Sequence, residues 1–315
     1  MAPSFIVTGM WGTTNLRLTL INSETGQILA EKQGPGISAL SGQTPENALF
    51  ALIAPWIDQY GVAGIYLSGM VGSTLGWIDA PYIECPIDIS RVQTKLVQFD
   101  AGGIPVAIVP GLACKNPLGH PDVMRGEETE LLAWFATATA SQKQDSVVCI
   151  PGTHVKWVKV AFGRIESFMT SVTGEMYQVI SKNGVLAKPH YGNRVKSSDA
   201  FLKALQDIEN NPSNLMNLLF TTRANAVRAG FSDEDSTDYL SGLLIGADIL
   251  SAIECYDLTA TSVPIPLIGA DYLVDRYALA FSHWGISVDK IKSADIAPRG
   301  LFSIYQQNPL HKMVG

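Results

Sequence analysis

The chain has no run of roughly 20 apolar residues, the length a helix needs to cross a bilayer. Its longest apolar stretches, such as Leu243–Leu250 and Val263–Ala270, fall far short of that. The opening Met-Ala-Pro-Ser-Phe-Ile-Val-Thr-Gly carries no basic n-region and runs straight into a strand pattern, so neither a signal peptide nor a membrane partner is expected. Cysteine is sparse: Cys85, Cys114, Cys149 and Cys255 are widely separated, with no Cys-x-x-Cys pair. The reading is reduced, mostly buried thiols in a cytoplasmic protein. Positive charge is short as well. Lys and Arg number 22 against 29 Asp and Glu, and the net charge of −7 argues against a nucleic-acid partner. It does not exclude an anionic small substrate, for which a few local donors and a helix N-terminus suffice.

What is present is a globular balance of 47% hydrophobic and 16% charged residues over 315 positions, enough for two cores. Phe5–Thr8 reads as a buried strand, followed by Gly12-Thr13-Thr14-Asn15, a strand over Leu16–Ile21, a turn at Ser23–Gly26 and a returning strand over Gln27–Lys32. Residues 45–60 form a helix with Pro45 at its start, Leu49, Leu52, Ile53 and Trp56 at helical spacing, and Gly61 as its stop. Val62–Leu67 and Val106–Val109 read as further buried strands, separated by a loop-rich stretch from Gly69 to Gln98. A linker at Ala113–His120 leads to a second unit. Its elements are a helix over Glu127–Thr139, strands at Val147–Ile150, Lys156–Ala161 and Ile165–Met169, and a helical insertion from about 171 to 255. Strands at Ile265–Ile268 and Ile286–Ile291 flank a helix to about Phe281, and Pro298–Gln307 forms a last helix.

A strand–glycine loop–strand hairpin therefore occurs twice, over Phe5–Ile21 and Val147–Ala161. Two such hairpins facing each other can hold a polyphosphate between two domains. In Gly12-Thr13-Thr14-Asn15, consecutive amides and hydroxyls suit phosphate oxygens, although Gly-Thr turns also serve as plain hairpin connectors. Pro151-Gly152-Thr153-His154 repeats the Gly-Thr core, and Lys156 either offers a cation to phosphate or points to solvent. Arg125-Gly126-Glu127-Glu128 opens a helix, where acids meet the helix dipole favourably. Functionally, Glu127 would accept a hydroxyl proton and Arg125 would bind an anionic group. Thr173-Gly174-Glu175 is either a pocket-lining loop or a helix start, and Gly269-Ala270 with Tyr272 either a tight turn or a close approach to an adenosine.

Taken together, these segments resemble the 2-dehydro-3-deoxygalactonokinase family. The matching residues run collinearly through Trp11-Gly12-Thr13-Thr14-Asn15-Leu16-Arg17, Gly69-Met70-Val71-Gly72-Ser73, Gly76-Trp77, Ala80-Pro81-Tyr82 and Val109-Pro110-Gly111-Leu112. They continue through Met124-Arg125-Gly126-Glu127-Glu128-Thr129, Pro151-Gly152-Thr153-His154, Lys156-Trp157-Val158, Thr173-Gly174-Glu175, Tyr239 to Ala247 and Gly300-Leu301. The resemblance implies an α/β chain of two ribonuclease-H-like, actin-like ATPase domains around a cleft. The N-terminal domain would span 1–116 and the C-terminal domain 117–296, with a helix at about 297–315 packing back on the first. It further implies ATP, magnesium and transfer of a phosphoryl group to the 6-hydroxyl of 2-dehydro-3-deoxy-D-galactonate, in a monomer or a homo-oligomer. Gly12, Thr13, Thr14, Asn15, Gly152, Thr153 and Lys156 then belong to the phosphates, and Gly269 and Tyr272 to the adenosine. Glu127 becomes the base, with Glu128 as its rival. Arg17, Arg125, Thr173, Gly174 and Glu175 become the sugar-acid contacts.

The chain departs from the family pattern at three positions. Met10 stands where an Asp is usual, Val155 replaces a small polar residue and Asn183 a histidine. The first matters most, because an acid–cation contact near 4 Å is worth up to about 4 kcal/mol at an effective dielectric of 20. If that contact strengthens in the transition state, its loss costs on the order of 10³ in rate. Two alternatives follow: a protein that binds nucleotide and sugar acid with impaired transfer, and a kinase for another sugar acid. No metal ligands are assigned.

Overall fold

The computed structural model describes residues 4–187, 199–260 and 263–310. The N-terminal tripeptide, residues 188–198 of the expected helical insertion and residues 311–315 of the expected terminal helix lie outside the described residues. The first sheet begins with β1 (Phe5–Trp11), β2 (Asn15–Asn22) and β3 (Ile28–Pro35), an antiparallel meander. Next come α1 (Pro45–Tyr60) and β4 (Val62–Gly69). Thr44 caps α1 by accepting from the Asn47 amide, Pro45 occupies the first turn, and Leu49, Ile53 and Trp56 bury one stripe. β4 returns parallel to β1, so β1 is central and buried on both faces.

From Gly69 the chain makes two short strands, β5 (Ile83–Glu84) and β6 (Ile87–Asp88), before β7 (Val97–Ala101) and β8 (Ile104–Ile108) complete the first sheet. The segment at Ala113–His120, expected as a linker, is instead a hairpin of β9 (Leu112–Lys115) and β10 (Pro121–Met124). Asn116 closes its turn: its amide donates to His120 O, and its side-chain oxygen accepts from the Leu118 and His120 amides. Pro and Gly there mark a tight reversal within paired strands, a distinction local composition does not carry. β6 pairs with the edge of the second sheet, so the excursion from 69 to 98 bridges the two sheets.

The second unit holds α2 (Glu127–Thr137), α3 (Ala140–Gln144), β11 (Asp145–Ile150), β12 (Val155–Ala161) and β13 (Arg164–Ser171). Helices α4 (Thr173–Asn183), α5 (Asp199–Asn210), α6 (Leu215–Arg228) and α7 (Asp233–Tyr256) follow. β14 (Ile265–Gly269), α8 (Asp271–His283), β15 (Val288–Lys292) and α9 (Ser293–Gln307) finish it. The first sheet runs β3-β2-β1-β4-β8-β7; the second runs β13-β12-β11-β14-β15, with β6 beside β13. The order, the antiparallel first three strands and the parallel next two are the same in both. The chain is thus a mixed α/β protein built twice on one strand plan.

Between the sheets lies one core, to which Ile6 and Tyr66 come from the first sheet, Val148 and Phe168 from the second, and Leu131, Trp134, Leu301 and Ile304 from α2 and α9. α1 covers the outer face of the first sheet, and α7 and α8 cover that of the second. α7 has 24 residues, and its apolar window reaches the length and hydropathy of a membrane span; 61% of that window is buried inside the protein. α9 begins five residues before Pro298, where the sequence placed its start. It ties the end of the chain to the first sheet, where the Tyr66 hydroxyl donates to Asn308 O and accepts from the Leu310 amide.

Candidate active site

The loop between β1 and β2 is held from one side. Gly12, Thr13 and Thr14 turn their carbonyls to the turn that follows β3, where the amides of Ile37, Ser38 and Gly36 donate at 3.1, 3.1 and 3.0 Å. The Ser38 hydroxyl adds a 2.7 Å bond to Thr13 O, and the Trp11 indole braces Pro35 O at 3.1 Å. Gly36 is required by close approach, since a Cβ there would stand 2.2 Å from Thr13 O. With its carbonyls satisfied behind it, the loop leaves the Thr13 and Thr14 amides without an acceptor among the described residues, at the exposed tip between the cavity-lining Gly12 and Asn15. Successive free amides of this kind form an anion-binding concavity.

Opposite the loop, α2 starts at Gly126, whose φ of 118° suits only glycine. Its first turn is acidic, which the helix dipole favours. Glu128 is fully buried: it accepts from the Ser68 hydroxyl at 2.7 Å and from the Gly126 amide at 2.6 Å. Burial, and next the charge of Glu127, push its carboxyl up to about 8. Glu127 takes the other direction. It accepts from the Arg125 amide at 3.1 Å and lines a cavity of about 370 Å3. Arg125 lines the same cavity, with Nη2 on Ala80 O at 2.7 Å and its guanidinium 4.3 Å from the centre of the Tyr82 ring. Its Nε and Nη1 are buried without a partner.

The cavity also draws Gly12, Asn15, Arg17, Met10, Thr8 and Glu130 together. Met10 and Arg17 are cross-strand neighbours, and the Met10 sulfur lies 3.3 Å from Thr129 Oγ1 on α2. Glu130 bonds the Ser293 hydroxyl of α9. Its carboxyl is pushed up to about 7, by burial first, while the Ser293 bond and the charge of Arg17 act the other way. Neither Glu130, Thr8 nor Ser293 stood out in the sequence, whereas Tyr82 entered only within the family-like segment Ala80-Pro81-Tyr82. The spacing of Glu127 and Glu130, one helical turn apart, was the available signal for Glu130; the others are assembled by tertiary contact alone.

The amides of the second loop, Gly152–His154, also have no acceptor among the described residues, while Thr153 O accepts from the Glu175 amide at 2.9 Å. Thr173-Gly174-Glu175 is a helix start, the first turn of α4, with Gly174 packed on Gly152 O and Glu175 2.8 Å from the exposed His154 ring. Gly269 packs against Pro151, and Tyr272 on α8 is 57% exposed. Residues 151–154, 173–175 and 269 thus form a second cluster, outside the residues lining the cavity. Lys156 does neither of the two things the sequence suggested. It is buried on β12, with its ammonium on Val123 O at 2.9 Å and Thr170 Oγ1 at 2.8 Å, tying β10 to the second sheet.

A family model described as 2-keto-3-deoxy-galactonokinase matches residues 10–304. A 2-dehydro-3-deoxygalactonokinase of Escherichia coli (strain K12) is 32% identical over 297 residues, 93% of this chain and 95% of that protein. A Rhizobium meliloti (strain 1021) protein bearing the same activity name is 32% identical over 293 residues, 92% of this chain and 93% of its own. The crystal structure of a Sinorhizobium meliloti protein bearing that name superposes with a TM-score of 0.83 at 31% identity, covering 97% of this chain and 100% of the other.

Proposed function

Because the chain belongs to the 2-keto-3-deoxy-galactonokinase family, we propose that it transfers the γ-phosphoryl group of ATP to the 6-hydroxyl of 2-dehydro-3-deoxy-D-galactonate, in the cytoplasm. The keto and dehydro names denote the same 2-oxo acid. The carrying observation is one cavity lined by Gly12 and Asn15, the two flanks of an anion-ready loop, by the Glu127 carboxylate and by Arg125, whose Nε and Nη1 have no partner among the described residues. The repeated strand order supports two ribonuclease-H-like domains of the actin-like ATPase kind. Their bounds would be 1–116 and 117–296, with β6 reaching across and α9 packing back on the first.

In this reading the amides of Thr13 and Thr14 take phosphate oxygens from one loop and those of Gly152 and Thr153 from the other. Gly269 and Tyr272 flank the adenosine beside the second loop, with Thr173, Gly174 and Glu175 closing over it or over the sugar. Arg125 offers its guanidinium charge to the substrate carboxylate, with Nε and Nη1 as the donors left without a partner among the described residues. Tyr82 stacks on the guanidinium and keeps it pointed there. Glu127 takes the proton of the 6-hydroxyl as its oxygen attacks the γ-phosphorus. Glu128, enclosed and bonded to Ser68, holds the start of α2 instead of meeting substrate.

Among the described residues no three His, Cys, Asp or Glu side chains gather into a metal cage. Magnesium keeps several waters and takes most other ligands from phosphates, so one or two carboxylates suffice. The first turn of α2 offers carboxylates to the cavity, and the donor set fits the ion on that ground. Bound with ATP, the ion neutralises charge on the β- and γ-phosphates.

A coupled ADP-release assay with ATP and 2-dehydro-3-deoxy-D-galactonate tests the reading. Turnover of roughly 1–100 per second is expected. Ligand-induced thermal stabilisation without turnover, cured by Met10→Asp, would favour the binding protein that Met10 suggests. Exclusive turnover of another sugar acid would displace this substrate.

A further inference from the structure

β1 offers no acid at position 10, and a thioether is a soft donor ill suited to a hard cation. We propose that Glu130, on the facing helix, is the acid that serves the nucleotide's divalent cation in this chain, taking over the role that position 10 lacks. The inference rests on the kinase reading above. Met10 points at the first turn of α2, its sulfur 3.3 Å from the hydroxyl of Thr129, the residue next to Glu130. Glu127 and Glu130 are three residues apart on that helix and both line the cavity, so their carboxylates share one face.

Glu130 is poorly satisfied for its burial. It is 8% exposed, and the Ser293 hydroxyl is its one hydrogen-bond donor among the described residues. A buried carboxylate with one donor for two oxygens calls for further compensation. Thr8 makes the same demand independently: the residue is 1% exposed, its hydroxyl has no partner among the described residues, and it lines the same cavity. A carboxylate short of donors beside an orphaned hydroxyl suits a hydrated cation, whose waters donate to the first and second alike. Arg17 lines the same cavity as Glu130, and its charge acts on that carboxyl. Guanidinium and cation share the carboxylate as cations gathered around one triphosphate do. Glu127 stays free for the hydroxyl proton.

The test is the affinity of Mn2+ for the complex of the protein with ADP, read from the electron paramagnetic resonance of free Mn2+, alongside an unfolding midpoint for each protein. Glu130→Gln keeps an oxygen for Ser293 and is expected to weaken Mn2+ at least tenfold while ADP still binds. Adding Met10→Asp to Glu130→Gln is expected to recover most of that loss. Glu130→Asp, which withdraws the carboxylate without deleting it, should fall between and serves if Glu130→Gln does not fold. Mn2+ affinity within twofold of the parent in Glu130→Gln, or in Glu130→Asp where that stands in, overturns the inference. So does a double variant that stays as weak as the single one. In either case parental ADP binding leaves the kinase reading intact. A parent protein that binds neither ADP nor ATP overturns both.

Discussion

Gly36→Ala should damage ATP handling although residue 36 lies outside the cavity lining. The backbone there (φ −70°, ψ 174°) is open to alanine, so the perturbation is steric alone. The new methyl would sit 2.2 Å from Thr13 O and 2.4 Å from the Thr13 and Thr14 carbonyl carbons. Ordinary contact begins near 3.5 Å, so the turn at 36–38 and the loop at 12–15 must part by roughly 1 Å. Parting them weakens the three amide–carbonyl bonds that turn the loop's amides outward. At about 1 kcal/mol each, and with overpacking costs of similar size, stability should fall by about 2–4 kcal/mol. Displacing a bound phosphate by about 1 Å costs on the order of 10² in rate. Steady-state kinetics in ATP with saturating sugar acid, and a thermal melt on the same sample, measure both. Ser38→Ala is the control: it removes one exposed 2.7 Å bond to Thr13 O and should change ATP kinetics by no more than a few fold. A folded Gly36→Ala protein with ATP parameters within twofold of the parent refutes the idea that the 36–38 turn presents this loop to phosphate.

Glu127→Gln should lower kcat by about 10²–10⁴ with little change in stability, whereas Glu128→Gln should leave kcat within tenfold; single-turnover rates decide between them. Arg125→Ala should raise the KM for the sugar acid by about 10- to 150-fold, one charge-assisted contact, and Arg125→Lys should recover little because the planar guanidinium that stacks on Tyr82 and bonds Ala80 O is lost. Stability should also depend on pH through Glu128. Its folded carboxyl is raised to about 8 from an ordinary 4.5, so the folded state holds a proton that the unfolded chain releases. That contribution is full below about 4.5 and is lost as pH rises through about 8. Unfolding midpoints across pH 5–9 should therefore fall, and Glu128→Gln should flatten the fall; an unchanged slope counts against the buried, protonated Glu128.

The repeated hairpins were legible because each combines a buried strand, a Gly-Thr turn and a second strand within some 17 residues, a signal local in sequence. Helix α1 was legible for the same reason, through Pro45 at its start, its apolar spacing and the stop at Gly61. What failed is uniformly non-local. The β9–β10 hairpin looks like a linker because its pairing depends on Asn116 closing the turn and on β5 lying alongside. The bridging role of β6 depends on an edge of β13 some 80 residues away. Lys156 shows the limit most clearly. Its place after a Gly-Thr loop suggested phosphate or solvent, yet β12 turns its side chain inward to a carbonyl of β10. The choice between Glu127 and Glu128 was closed to sequence for a related reason. The φ of Gly126 sets the angle at which α2 leaves β10, and that angle sends one carboxylate to the cavity and the other to Ser68.

The two loops reach the same chemical state by different construction. The first has its carbonyls bound by a turn from its own sheet, at residues 36–38; the second has Thr153 O bound by the first turn of a helix, α4. Both supports act on carbonyls, both loops keep amides without an acceptor among the described residues, and a ligand held by the two loops in the proposed reading must then be an acceptor at two points. A triphosphate meets that requirement, while a neutral sugar held between the same loops would leave amides unmatched. The repeat of the strand plan alone argues for common architecture. The repeat of free amides, beside two different supports, argues that what the loops have in common is a demand for anionic oxygen, and on this point the proposed kinase reading takes a nucleotide as well as a sugar acid.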